Sequence, residues 1–505
     1  MISPKSTYLI GLDLGTSGAK AILMDLHGRV LAQTFREYPI FTPHPGWAEE
    51  NPSDWLEASV SCLKELITAS GVDPSTVAGI GLTGQMHSLV CLDSTGKNLR
   101  PAILWADTRS APQAQRALAD LGKEKLAAYT GNPLPAGFML SSWLWLQANE
   151  PDTARQTRWL LLPKDMVRYR LTGTLETEPS DASSTGLFDV HCRGWSQPML
   201  AYAGLSPQQL PPITPSQAVC GSLLPEMARA CGLLPGTPVV AGCSDQSAQA
   251  LAQGILRAGE YSITIGTGGQ VFTSLPQPQP DPELRVHLFC HALPNLWHLE
   301  AAILNAGLSM RWLRDNVWPG STYAGLLSLA QASAAASQGV FFMPYLSGER
   351  TPHMDPAARA GFVGLSLAHT RGSMIRAVVE GVCFALRQSF DILQAIAGDP
   401  VRIVVNGGAA RHPLWLHTLS DILGRTIHPS PVEEAAARGA ALLAGLGTGA
   451  FAGIDEALRQ GVPAAGAPVE PDPLQAQMYM QAFTKFKELY PAVNAGQSAI
   501  IRKML

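Results

Sequence analysis

Asp13-Leu14-Gly15-Thr16-Ser17-Gly18 joins a carboxylate, two glycines and two hydroxyls in six consecutive positions, and Lys20 follows at once. Glycines carry no Cβ, so backbone N–H groups there can approach phosphate oxygens. Thr16 and Ser17 add hydroxyl donors. Asp13, at the end of an apolar run, is placed to hold Mg2+ directly or through water. A plain hairpin turn with a solvated aspartate is the alternative for this segment alone. Gly266-Thr267-Gly268-Gly269 makes the same offer in the second half of the chain. A third cluster, Asn406-Gly407-Gly408-Ala409, follows the apolar run Val401–Val405 and precedes a helical run from His412. A strand–Gly-Gly–helix junction lets a flat base and a ribose lie close to backbone. The Walker pattern GxxxxGK[ST] does not occur in the chain.

These residues need elements to position them. Thr7–Asp13, Ala19–Asp25 and Val30–Phe35 read as three strands joined by tight turns, a β-meander. A helix is expected over Pro52–Ser70, opened by the cap signals Ser53-Asp54, and a strand over Val77–Thr83. The pattern restarts with a strand at Pro238–Cys243, a helix at Gln246–Leu256, a strand at Gly259–Ile265 and a returning strand at Gln270–Ser274. Strand, Gly-Thr turn, strand thus occurs twice, once in each half. Leu275–Pro282 and Gly461–Pro473, rich in proline, read as surface loops. The helical run Ser373–Leu393 places Met374, Val378, Val382 and Phe390 on one core stripe. His287 and His291 stand four apart, but His298 follows a Pro-Asn turn, so the run reads as paired strands with structural histidines rather than a zinc site.

The chain has 505 residues, of which 46% are hydrophobic and 15% charged. At roughly 100–200 residues per domain, that length suits two large domains. The net charge of −4 provides no basic footprint for nucleic acid. The N-terminal apolar run is interrupted by Asp13 and lacks a signal-peptide layout, and Ala435–Ile454 reads as helix plus loop rather than a membrane span. Eight scattered cysteines without a CxxC fit reduced thiols and a cytoplasmic location.

Taken together, these motifs resemble the FGGY family of carbohydrate kinases over about Tyr8 to Gly449. Tyr8–Lys20 is similar to its first phosphate hairpin. Gly84-Gln85-Met86-His87 with Arg100–Asp107 and Arg109 resembles the sugar-contacting segment of the members that act on xylulose. Leu346–His353 and Thr370–Gly381 resemble second-domain motifs, and Asn406–Ala410 the adenosine segment.

The resemblance implies an α/β, two-domain actin/hexokinase-like (ribonuclease H-like) ATPase fold with the site in the interdomain cleft. The domains would span residues 1–249 and 250–490. The implied reaction is ATP-dependent phosphorylation of D-xylulose to D-xylulose 5-phosphate. Asp245, in Gly242-Cys243-Ser244-Asp245, matches the family's catalytic base. A carboxylate there can take a hydroxyl proton in phosphoryl transfer, and it could also cap the helix that follows. Gln85, Met86, His87, Trp105, Asp107 and Gln246 are the implied sugar contacts; His87 can donate to or accept from a hydroxyl. A buried Trp105 and a surface Asp107–Arg109 ion pair are the alternative there. Gly15, Thr16, Ser17, Lys20, Gly266, Thr267, Gly268, Gly307, Gly407, Gly408 and Ala409 are the implied ATP contacts, with Mg2+ at Asp13.

Ser142, Gln246 and Ser373 depart from the family pattern, which usually has Lys, Asn and a larger polar residue there. They leave the phosphate turns and Asp245 intact and bear on which sugar is used. Expected partners are the sugar and ATP, with no nucleic acid and no membrane, and a homodimer is one option for assembly. The rivals are a kinase of the same family for L-xylulose, ribulose, gluconate or a tetritol, and a non-catalytic actin-like ATP switch.

Overall fold

The computed structural model describes residues 7–494. The first meander is β1 (Tyr8–Gly15), β2 (Gly18–Asp25) and β3 (Val30–Glu37), with Gly15 facing Gly18 across a two-residue turn. Its alternation buries Leu12, Ala19, Ala21 and Leu23 against helix α1 (Pro52–Ser70), whose Trp55 is fully buried. Burying a leucine such as Leu12 or Leu23 contributes about 1.5–3 kcal/mol. The start of α1 differs from the sequence expectation. Asn51 is the N-cap, without a side-chain hydrogen bond, and Pro52 is the first helical residue. Asp54 lies in the first turn, where a negative charge complements the helix dipole.

Strand β4 (Val77–Gly84) pairs parallel with β1. The same sheet continues through β5 (Val219–Ser222) and β6 (Pro238–Val240), and β7 (Cys243–Ser244) adds to the end of β4. The expected single strand Pro238–Cys243 is therefore two strands. Gly242 at φ +85 breaks the run, because the turn there needs the left-handed region that glycine tolerates. Helix α2 (Asp245–Ala252) follows, shorter than the sequence pattern.

The second half repeats the plan. β8 (Glu260–Ile265) and β9 (Gly269–Leu275) form a hairpin; β10 (His287–Cys290) and β11 (Trp297–Ile303) extend it antiparallel. Helix α3 (Gly307–Trp312) follows β11. Helix α4 (Arg371–Ala397) packs on the sheet and buries far more than one stripe, including Val379, Cys383 and Leu386, while Met374 is only partly buried. β12 (Arg402–Asn406) pairs parallel with β8, and after helix α5 (Pro413–Leu423) the short β13 (His428–Pro429) pairs parallel with β12. Both sheets thus read antiparallel meander, then two parallel strands: β3-β2-β1-β4-β6 and β11-β9-β8-β12-β13.

Helix α6 (Ala435–Gly447) returns to the first half. A Cβ on Gly81 of β4 would stand 1.9 Å from Ala440 O, and one on Gly439 would stand 2.0 Å from Ala248 O of α2. The Ala/Gly richness of this segment is therefore a packing requirement: α6 is wedged between the first sheet and α2. Among the described residues, no helix is long and apolar enough to cross a membrane. All eight cysteines are free.

Candidate active site

Asp245 is the first residue of α2, and the helix is capped by its neighbour. Ser244 Oγ accepts from Ser247 N at 3.4 Å, so the capping role left open for Asp245 belongs to Ser244. Asp245 Oδ1 accepts only the adjacent Gln246 N–H, at 2.8 Å. Burial first, then the like charges of Asp13, Glu300 and Asp181, hold this carboxyl well above the usual carboxylate range. The parallel pairing of β1 with β4, and of β7 with β4, brings Asp13 and Asp245 to the same edge of the first sheet. Burial pushes Asp13 up to about 6, with Lys20 opposing and Glu434 adding to the shift. Its Oδ1 is buried with no hydrogen-bond partner.

A buried ionic layer supports Asp245 from behind. Ser244 N donates to Ser180 Oγ at 3.0 Å, and Ser180 Oγ bonds the Glu178 carboxylate. Lys164, fully buried, lies 2.8 Å from Asp165, 3.3 Å from Glu178 and 3.2 Å from Asp181. Sequence reasoning missed this layer, because its members come from separate segments with no shared spacing.

The sugar-type segment forms a wall after β4. His87 has φ +71, and its Nδ1 lies 2.8 Å from Ser184 O. The carbonyl can only accept, so Nδ1 carries the proton and Nε2 is left as an acceptor. The ring stacks on Phe138 with centroids 4.1 Å apart. Burial drives its pKa down to about 3, so the imidazole is neutral. Met86, beside it, is buried in the same apolar cluster. Trp105 donates Nε1–H to Thr16 Oγ1 at 2.9 Å, joining this wall to the first Gly-Thr turn.

Three site candidates have other partners. Gln85 Nε2 donates to Glu50 Oε2 at 2.9 Å, and its side chain is buried. Both Asp107 oxygens are taken by Arg109, and Oδ2 also accepts Ala48 N–H at 2.6 Å. That ion pair is buried rather than on the surface, continues to Glu49 at 2.7 Å, and stacks the guanidinium 3.5 Å over Trp47. Asp107 thus braces the wall from behind. Lys20 pairs with Glu434 at 2.5 Å.

In the second half, the turn after β8 is laced to the start of α3: Gly307 N donates to Gly266 O at 2.8 Å, and Ala306 N and Leu308 N to Thr267 O at 3.0 Å. Gly266, Thr267, Gly307, Gly408 and Ala409 converge on one cavity of about 510 Å³. Gly268 and Gly407 shape its turns without lining it. Ile265, at the end of β8, and Met310, Arg311, Tyr323, Leu327, His412 and Trp415 complete the lining. Sequence reasoning missed the last six, which are brought together only where α3, the helix Tyr323–Gln331 and the start of α5 pack around the cavity. Of the departures from the family pattern, Ser373 serves a capping box with Thr370 at the start of α4, Gln246 adjoins Asp245, and Ser142 is buried within the helix Met139–Asn149.

The profile for the N-terminal domain of the FGGY family of carbohydrate kinases matches residues 8–252, and that for its C-terminal domain matches residues 261–464. The chain is 37% identical over 484 residues to a xylulose kinase of Bacillus subtilis, covering 96% of each protein. It is 30% identical to a gluconokinase of the same organism, covering 89% of each. A solved structure described as a xyloylose kinase from Brucella ovis superposes with a TM-score of 0.90 at 35% identity, over 97% of this chain and 99% of that one. The chain belongs to the FGGY family of carbohydrate kinases.

Proposed function

We propose that this sugar kinase transfers the γ-phosphoryl group of ATP to the terminal hydroxyl of D-xylulose, giving D-xylulose 5-phosphate and ADP. The observation that carries the reading is Asp245, a carboxyl freed from capping duty whose one bond is to its own neighbour's N–H. Its place beside Asp13 and its high proton affinity suit a general base. Asp245 accepts the hydroxyl proton as the phosphoryl group moves. His87 Nε2, Met86, Trp105 and Gln246 hold the sugar, while Gln85 and Asp107 keep that wall in place.

ATP occupies the 510 Å³ cavity with its adenosine against Gly408 and Ala409. Its phosphates lie between the turns at Gly15–Ser17 and Gly266–Gly268, with Gly407 and Gly307 shaping the approach. Lys20 reaches the phosphates by exchanging Glu434 for them. Asp13 fits a hard divalent cation, since its Oδ1 is an unpartnered buried oxygen and burial outweighs the one opposing charge, Lys20. Mg2+ held there supplies neutralisation of the phosphate charge. We place the domain division near residue 249, with α6 returning across it, and the free thiols fit a reducing, cytoplasmic compartment.

The 37% identity to a xylulose kinase supports D-xylulose, and the 30% identity to a gluconokinase makes gluconate the comparison to run beside it. The test is coupled ADP release across pentuloses, hexuloses, gluconate and polyols. D-Xylulose is expected to have the highest kcat/KM. A higher value for ribulose, gluconate or glycerol would overturn the substrate while leaving the kinase; ATP turnover indifferent to every sugar would overturn both.

A further inference from the structure

Arg350 crosses the cleft from the second half. Its guanidinium lies 5.8 Å from the ring centroid of Trp105, the first-half residue bonded to Thr16. Among the described residues the guanidinium makes no hydrogen bond and no ion pair within 4 Å. This is unusual for arginine, whose planar fork of N–H donors normally finds a carboxylate.

The backbone beneath it is fixed. Arg350 N donates to Glu349 Oε1 at 2.7 Å, the same oxygen accepts Leu304 N at 3.0 Å, and Thr351 N donates to Ala302 O at 3.0 Å. The loop is thus pinned to β11 and the residue after it. A rigid base carrying an unpaired donor fork is the arrangement of a binding residue rather than a packing one.

Two observations separate a sugar contact from a phosphate contact. Arg350 does not line the nucleotide cavity. Its positive charge bears on His87, His287 and Glu300, whereas the charges bearing on Asp13 are Lys20 and Glu434, and those on Asp245 are Asp13, Glu300 and Asp181. Its field therefore falls on the His87–Trp105 wall. Glu300 and Glu349, the carboxyls near it, are pushed by burial up to about 7 and about 8, so neither is a full counter-charge at neutral pH.

We propose that Arg350 is a substrate-contacting residue supplied by the second half, its fork gripping two neighbouring oxygens of the open-chain sugar opposite His87. A guanidinium presents parallel N–H donors that match a pair of adjacent oxygens, which a lysine cannot reproduce. This deepens the kinase reading above and rests on it for the identity of the sugar.

The test is steady-state kinetics of wild type, Arg350→Gln and Arg350→Lys, with sugar and ATP varied separately, beside melting curves. A hydrogen bond to a charged group is worth a factor of about 10–100 in binding. Arg350→Gln is therefore expected to raise the sugar KM by about 10- to 100-fold, with the ATP KM within about twofold of wild type and the melting temperature nearly unchanged. Arg350→Lys is expected to recover only part of that loss. An unchanged sugar KM in a folded variant would overturn the proposal, as would equal losses for both substrates with a lowered melting temperature. If Arg350→Gln does not fold, Arg350→Lys carries the test, and a wild-type sugar KM in that variant overturns the fork. If the wild type prefers another sugar, the same comparison is made with that sugar. A loss confined to its KM keeps Arg350 in the site and discards only D-xylulose.

Discussion

The indole N–H of Trp105 donates to the hydroxyl of Thr16 at 2.9 Å. One hydrogen bond thereby ties the His87–Trp105 wall to the first Gly-Thr turn, and Trp105 N–H is itself fixed by Ser88 Oγ at 3.1 Å. Trp105→Phe keeps an aromatic face and deletes the donor. A neutral hydrogen bond contributes about 0.5–1.5 kcal/mol, so kcat/KM for both ATP and sugar is expected to fall by about 2- to 10-fold together. A change in melting temperature with both specificity constants intact would make Trp105 a packing residue only.

Gly408 offers a cleaner probe of the cavity proposed for the nucleotide. Its backbone is at φ −61 and ψ −38, open to any residue, and a Cβ built on it would meet nothing within 4 Å. The missing side chain is thus required by neither backbone conformation nor packing, yet the residue lines the cavity. Gly408→Val is expected to raise the ATP KM by tenfold or more, on the order of the 1–3 kcal/mol that overpacking costs, while the protein melts as before. Calorimetry with ATP alone reads the effect directly, and unchanged ATP affinity would move adenosine elsewhere.

Buried carboxyls give stability a pH dependence with a definite sign. Glu50 and Glu300 are raised to about 7 and Glu349 to about 8, in each case chiefly by burial. Between their ordinary value of 4.5 and these values the folded protein binds more protons than the unfolded chain, so stability falls as pH rises through that window. His87 and His291, lowered to about 3 by burial, act oppositely, but only below their ordinary 6.5. The melting temperature is therefore expected to rise as pH is lowered from about 9 to about 6.5, before the histidines oppose it. Differential scanning calorimetry checks this, and Glu349→Gln is expected to flatten the slope. A flat profile in the wild type would mean that these carboxyls are not buried in solution.

The sequence made the turns legible and the contacts less so. Both Gly-Thr hairpins and the His287–His298 strands follow from local chemistry, because turn residues and alternation act over a few positions. The break at Gly242 was hidden, since a glycine inside an apolar run signals freedom without saying whether it is used. The Asp107–Arg109 pair was readable as an alternative, but its burial and the bond from Ala48 N–H depend on two distant segments meeting. Arg350 was legible only as part of a motif, and its lack of a partner is a fact of the folded cleft. The Lys164 layer was invisible for the same reason: buried charges are compensated in space, not in sequence.

Asp245→Asn separates chemistry from architecture. A sugar hydroxyl is a poor nucleophile unless its proton has an acceptor in the transition state. Asn keeps the shape of Asp and its oxygen can still accept Gln246 N–H, but it cannot take the proton. The start of α2 is secured by Ser244, so the exchange leaves the cap in place. It also removes a carboxyl crowded by Asp13, Glu300 and Asp181, so folding is expected to be unharmed or slightly favoured. Turnover at saturating ATP and D-xylulose is expected to drop by about 10²–10⁴, with a melting temperature at or above that of the wild type and both ligands still bound by calorimetry. Near-normal turnover in the folded variant would take Asp245 out of the mechanism. Asp13 would then be the carboxyl to examine, being the other acidic group at that edge of the sheet with an oxygen left unpartnered.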